Sequence, residues 1–423
     1  MVYDSPDALK KAFLECRKNW QLPFEKTDMG RDLFSPDYSK FEAVLDESNH
    51  IRLIPVDLSY AYLFRGQTKE YKPCLPTIYR EIRGRTPDAV DIFIERMRIN
   101  VFKHLIMSHP VVNGFFIPHH FYIDILGLAQ HYGLKTNVLD LTTDIDVAMF
   151  FAMCPYNSET DSYLYYTDDD EHIGIIYLVQ PFSTCPGSCE ILFDKISPIG
   201  LQVFDRPGRQ KGFAYHMAEG EDLFAVKYSF KYTSADSEAI YRKFNNGEVL
   251  WCKDVLVEKV KYIASMTCFQ YNVFKETFDE SPLKAYSKNR LKEELTRRSI
   301  SVLCKAPMME FSPEEKTQLV KEWGTSKSKE LQSLITKRSV VIPRETKRGR
   351  AYKRPFMTFR DLANFYWLRI IMAADKSVPE GGEECVGKHV KSERITPKTG
   401  KIPESVVVAD STSFMSDAYL KLK

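Results

Sequence analysis

The chain has 423 residues, 44% of them hydrophobic and 27% charged, with a formal net charge of +2. That is length for roughly two or three domains and an ordinary globular balance, with no whole-chain electrostatic case for nucleic acid or membrane. The first twenty residues hold no apolar run of signal-peptide length, and the nearest candidate span, Phe365–Ala374, is about half the ~18 residues a bilayer requires and carries Arg369.

Asp4 and Ser5 precede Pro6, and Leu9, Phe13 and Leu14 recur at helical spacing, so a helix is expected over Ala8–Trp20. Ile51–Phe64 alternates as two short strands and delivers Phe64-Arg65-Gly66-Gln67 at a strand end. Thr86-Pro87-Asp88 predicts a helix with Thr86 as N-cap, running to about His109. Phe115–Gly127 is expected to be a second, aromatic helix. It leads into Gln130–Ala152, a polar turn with Gly133, a short apolar strand and a capped helix. Glu159–Glu171 has no basic residue and reads as a solvated excursion. Ile173–Val179 and Leu223–Phe230 read as strands, with Asp205–Phe213 a polar loop between them.

Beyond Val260 the pattern turns helical. Ser312-Pro313-Glu314-Glu315 is a capping box opening a helix over Pro313–Leu334, and Thr358 with Asp361 opens another to about Asp375. Asp375–Ser411, rich in Gly, Pro, Lys and Glu, reads as disordered or as a linker. The expected class is α+β: a mixed core followed by a helical region, divided at 1–45, 46–262, 263–375 and 376–423.

Several residues carry chemistry. Ile145, Ala148, Met149 and Ala152 form one packing face of the helix after the strand. Thr143, three residues before Asp146, either caps that helix or joins Thr142 in offering hydroxyls and free N–H groups to a ligand. Arg65 offers planar donors suited to a diphosphate, or a salt bridge to Asp140. Gly66 lets a backbone or a ligand approach closely. His131 is an acid–base group or a hydrogen-bonded structural residue, and Tyr132 stacks on a ligand or packs in the core. The nine cysteines read as reduced thiols of a cytoplasmic protein; Cys185 and Cys189 have no second pair near, so no metal is expected. Phosphate-binding P-loop, dinucleotide-binding and nucleophile-elbow motifs are absent. Lys337–Arg354 holds eight basic residues against one acid; it is a nucleic-acid strip, with Lys347, Arg348 and Arg350 at its centre, or a solvated loop between helices.

Three stretches, Phe64–Gln67, Gln130–Ala152 and Arg206–Phe213, together resemble the blocks of the FRG domain, named for its Phe/Tyr-Arg-Gly motif, over about Leu53 to Val257. The domain would then be 46–262. The pattern more distantly resembles the ADP-ribosyltransferase fold, which implies a mixed or antiparallel split-sheet core. The resemblance implies that Arg65 holds the pyrophosphate of NAD, with Gly66, Gln67, His131, Tyr132 and Arg206 around the nucleotide. It implies that Thr142 and Thr143 contact the nicotinamide ribose, and that Gln210 holds the third motif's polar position. It further implies a cytoplasmic NAD-consuming enzyme of bacterial or phage defence or toxin type, needing no metal or membrane and acting on a macromolecular acceptor or water. Gln210 is followed by Lys211 and Gly212, so the third motif lacks its carboxylate. Asp140, Asp144, Glu219 and Glu221 are the candidates to supply one, with Asp140, Thr143 and Gln210 the expected catalytic set. The alternative is a non-catalytic nucleotide- or nucleic-acid-binding module in a defence or regulatory protein.

Overall fold

The computed structural model describes residues 1–18, 40–45, 50–55, 63–82, 84–179, 195–281, 283, 285–306, 308–334, 339–347, 350–353, 380–385 and 406–409. In chain order the strands are β1 (Val2–Tyr3), β2 (Phe41–Leu45), β3 (Ile51–Pro55), β4 (Leu63–Gln67), β5 (Val138–Thr142), β6 (Tyr156–Asn157), β7 (Ser162–Tyr163), β8 (His172–Val179) and β9 (Ile196–Pro198). They continue as β10 (Gly212–His216), β11 (Ala225–Tyr232), β12 (Cys268–Gln270), β13 (Ser301–Leu303), β14 (Ser339–Lys347), β15 (Arg350–Lys353), β16 (Glu383–Cys385) and β17 (Val406–Ala409). The class is α+β, with a mixed central sheet in the order β1-β11-β8-β4-β5-β10-β9.

Residues 174–179 of β8 are all buried, as its unbroken apolar run requires of a strand covered on both faces. It pairs antiparallel with β11 on one side and with all five residues of β4 on the other. β5 pairs with all five residues of β10. Between these halves β4 and β5 meet only at Phe64↔Thr142, so the sheet splits along the rest of their length. Helix Ile145–Met153 covers β4 so closely that a Cβ on Gly66 would lie 1.7 Å from the Ala148 carbonyl oxygen. Glycine is required there by main-chain contact between strand and helix.

The largest hydrophobic cluster is built around helix Ala89–Met107, whose Phe93, Met97 and Phe102 are buried with Leu256, Phe274 and Leu291. The later helices Val255–Ser265, Tyr271–Glu280 and Lys288–Arg297 therefore pack onto the same core. Among the described residues no helix is long and apolar enough to cross a membrane.

The first helix occupies Pro6–Lys18, close to expectation. The helix after Thr86 is capped by Asp88, not Thr86: its carboxylate accepts from the N–H groups of Val90 and Asp91, and Asp91 reciprocates. Arg298 binds Asp88 and Asp91 at 2.7 Å each and holds the Asp88 carboxyl well below the usual range. Phe115–Gly127 is not one helix. A π-helical turn at Val112–Phe116 ends in a bridge of Phe121 to Ile51, and a new helix, capped by Asp124, begins at Ile125. Asp205–Arg209 is a short helix rather than a loop.

Pro313–Leu334 is helical through Glu322, passes a π-helical turn at Trp323–Lys327, and resumes to Leu334. The basic stretch forms the antiparallel strands β14 and β15 rather than a loop; Arg348 lies outside the described residues. So does the expected helix at 358–375. The expected linker contributes two strands, β16 on β11 and β17 on β14.

Candidate functional site

Arg65 stands where the sheet opens. Its Nη1 donates to the main-chain oxygen of Asp140 at 3.0 Å, spanning the gap between β4 and β5. The expected carboxylate salt bridge is thus replaced by a contact to the carbonyl. Arg65 is half-buried, and its Nε is buried without a hydrogen-bond partner.

The Asp140 side chain is 31% exposed and is oriented from behind. Gln130 Nε2 donates to its Oδ2 at 3.1 Å, Thr136 Oγ1 donates to Gln130 Oε1 at 2.6 Å, and the Val138 N–H donates to Thr136 Oγ1 at 3.2 Å. Oδ1 faces His131 Nε2 at 3.6 Å, and both atoms lack a hydrogen-bond partner. His131 lies in helix Ile125–His131 rather than in the turn. Burial pushes its proton affinity down, so the imidazole is neutral at pH 7 beside the carboxylate. Its ring packs where a Cβ on Gly212 would come within 2.8 Å of Nε2, which explains the Gly of Arg206–Phe213.

Of the remaining expected site residues, all but Thr143 have their side chains engaged within the protein. Thr142 Oγ1 donates to the Gln210 carbonyl at 2.7 Å and accepts from the Asp144 N–H at 3.0 Å. It ties the third block to the helix start. The cap of helix Ile145–Met153 is Asp144, not Thr143, because the Asp144 carboxylate accepts from the Asp146 N–H. The Thr143 hydroxyl is buried without a partner. Gln210 is buried, and its Nε2 donates to the Leu250 carbonyl at 2.8 Å. Arg206 is 1% exposed; it donates to the carbonyls of Cys252 and His131 and lies between the rings of Trp251 at 4.1 Å and Tyr132 at 4.5 Å. Tyr132 is a core residue whose hydroxyl donates to Asp254, and burial raises both groups' proton affinities. Gln67 is buried against Cys74.

The four candidate carboxylates also separate. Asp144 pairs with Lys211 at 3.0 Å, and Glu221 pairs with Lys195 at 2.6 Å while accepting from the Ala218 N–H. Glu219 is exposed. Asp140 is the one beside Arg65 in the split. Among the described residues, no three His, Cys, Asp or Glu side chains gather to hold a metal. A pocket of about 230 Å³ lies to one side, lined by Phe41, Leu201, Trp323 and Leu331 and touching this region at Lys211.

The sequence reading missed Arg80. Arg80 is exposed, its Nε donates to the Leu75 carbonyl at 3.0 Å, and the charge of Arg65 acts on it. No motif marks it; it reaches this place only through the path of the chain after β4.

Residues 60–161 match the family model of the FRG domain. The chain therefore carries an FRG domain, and the matched stretch supplies β4, β5, Gln130, His131 and the helix packed on Gly66. No curated protein and no solved structure matches the chain.

Proposed function

We propose that this protein binds NAD at the split between β4 and β5 and cleaves its nicotinamide–ribose bond, passing ADP-ribose to a macromolecule or to water. The observation that carries the reading is the meeting of Arg65 and Asp140 across the gap, both reachable from solvent. A guanidinium suits the diphosphate, while a carboxylate stabilises the positive charge that develops on the ribose carbon. The Thr136–Gln130–Asp140 chain of hydrogen bonds fixes that carboxylate, and neutral His131 leaves its charge uncancelled.

In the reaction the ribose C1′–nitrogen bond breaks and its electron pair leaves with nicotinamide. The acceptor's nucleophile then forms the new bond to C1′ and gives up its proton. Gln210 and Thr142 act as braces that hold the third block against β5. Spending NAD, or marking a macromolecule with ADP-ribose, is chemistry suited to a defence protein or toxin.

The test is release of free nicotinamide from NAD by the purified chain, with nucleic acid and cell lysate supplied as acceptors. Wild type is expected to release it and Arg65→Ala to lose release; no release by wild type under any of these conditions overturns the reading.

A second reading, nucleic-acid binding, is favoured by one observation: the register of β14 and β15 sets Arg344 opposite Lys353 and Lys347 opposite Arg350. Paired cationic positions on a strand ribbon suit a phosphate backbone.

A further inference from the structure

Arg65 and Gln67 are two residues apart on β4 and so share one face of the sheet. Gln67 Oε1 lies 3.9 Å from Cys74 Sγ, and the next residue, Leu75, accepts from Arg80 Nε at 3.0 Å. The chain thus turns back after β4 and brings Arg80 to the same side of the sheet, where the charge of Arg65 acts on it. Cys74 is buried among them and feels both positive charges.

Neither arginine forms an ion pair with a carboxylate among the described residues; each is tethered by a main-chain carbonyl, Asp140 for Arg65 and Leu75 for Arg80. Carbonyl tethers fix a guanidinium in place without neutralising it. Neither nearby acid bonds to a guanidinium through its carboxylate: Asp222 Oδ1 accepts from the N–H groups of Cys74 and Leu223, and Asp140 Oδ2 accepts from Gln130, though the Asp140 charge reaches Arg80 through space. A third cation, Lys69, lies over the Tyr71 ring at 5.2 Å, with Arg80 at 5.8 Å from the same ring. Two cations beside the single Asp140 carboxylate leave a net positive charge, which a bound anion relieves.

We propose that Arg65 and Arg80 form a two-guanidinium seat for the diphosphate of a nucleotide, with Arg80 as its second arm. This rests on the nucleotide-binding reading of the split and adds the residue that reads the length of the phosphate chain. Two planar forks match the several oxygens of a diphosphate, and a single phosphate satisfies only one of them.

The experiment is calorimetric titration of the full chain with ADP, AMP and adenosine. Wild type is expected to bind ADP more tightly than AMP, and AMP more tightly than adenosine. Arg80→Ala weakens ADP by roughly tenfold to a hundredfold, the loss of a charge-assisted contact, and leaves adenosine unchanged. Arg80→Lys restores part of the ADP affinity. Because Arg80 is exposed, both variants are expected to melt as wild type does. If Arg80→Ala binds ADP as wild type does while Arg65→Ala is weakened, the second arm is overturned and the nucleotide site stands. If wild type binds ADP no better than adenosine, and releases no nicotinamide from NAD, both are overturned together.

Discussion

Replacing Gly66 with alanine places a Cβ 1.7 Å from the Ala148 carbonyl oxygen, 2.7 Å from its carbon and 2.9 Å from the Ala152 nitrogen. All three are main-chain atoms of one helix, so no side chain can turn aside. Bringing the nearest contact out to about 3.0 Å requires β4 and the helix to part by about 1.3 Å. β4 is held against that movement by five register pairs to β8 and by Phe64↔Thr142. Overpacking of a core costs about 1–3 kcal/mol where side chains can adjust, so rigid backbone on both sides places this variant at about 3 kcal/mol. The displacement also stretches the Arg65–Asp140 contact, so residual folded protein should bind nucleotide poorly. Urea unfolding followed by circular dichroism measures the loss. Gly324→Ala, where an added Cβ meets nothing within 4 Å, is the control and should cost nothing. A Gly66→Ala loss below about 0.5 kcal/mol would refute the account of the strand–helix contact.

Further predictions concern other parts of the fold. Gly212→Ala drives a Cβ to 2.8 Å from His131 Nε2, and should cost about 1–2 kcal/mol and reduce activity with it; an unaltered midpoint and rate contradict this. His109 is 2% exposed, and burial pushes its proton affinity down to about 3. Its folded value lies below the unfolded one, so its contribution is fully present above pH ~6.5 and is lost as pH falls. Wild type should lose about 2 kcal/mol more between pH 7 and pH 5 than His109→Gln, and parallel curves for the two would contradict it. Asp88→Ala removes a cap and the Arg298 pair, and should cost about 1–2 kcal/mol in urea unfolding. If the second functional reading holds, neutralising Lys347, Arg348 and Arg350 abolishes salt-dependent retention on DNA or RNA; equal retention excludes these residues.

The class and several elements were legible because their signals are local. Leu9 and Phe13 fixed the face of the first helix, the apolar run of β8 marked a central strand, and the Ser312 box marked its helix. The caps fall one or two residues after Thr86 and Thr143, because the carboxylates of Asp88 and Asp144 take the free N–H groups that the preceding threonines leave. The aromatic run after Phe115 has helical composition but spends its main chain on a bridge to β3, which only the tertiary fold shows. At the site, the Arg65–Asp140 pairing was expected, but its use of the carbonyl was not. Gln210 looked available because its partner, the Leu250 carbonyl, lies 40 residues away in the chain. Arg80 carries no local signal, since the path of the chain after β4 alone sets it where the Arg65 charge acts on it.

The most direct test of the central claim is single-turnover nicotinamide release by Asp140→Asn, set beside its affinity for NAD. Asparagine keeps the shape and the Gln130 contact while removing the charge. Release should fall roughly a hundredfold to a thousandfold with NAD affinity within about threefold of wild type. Release at the wild-type rate by Asp140→Asn would contradict the claim that this carboxylate stabilises the departing charge.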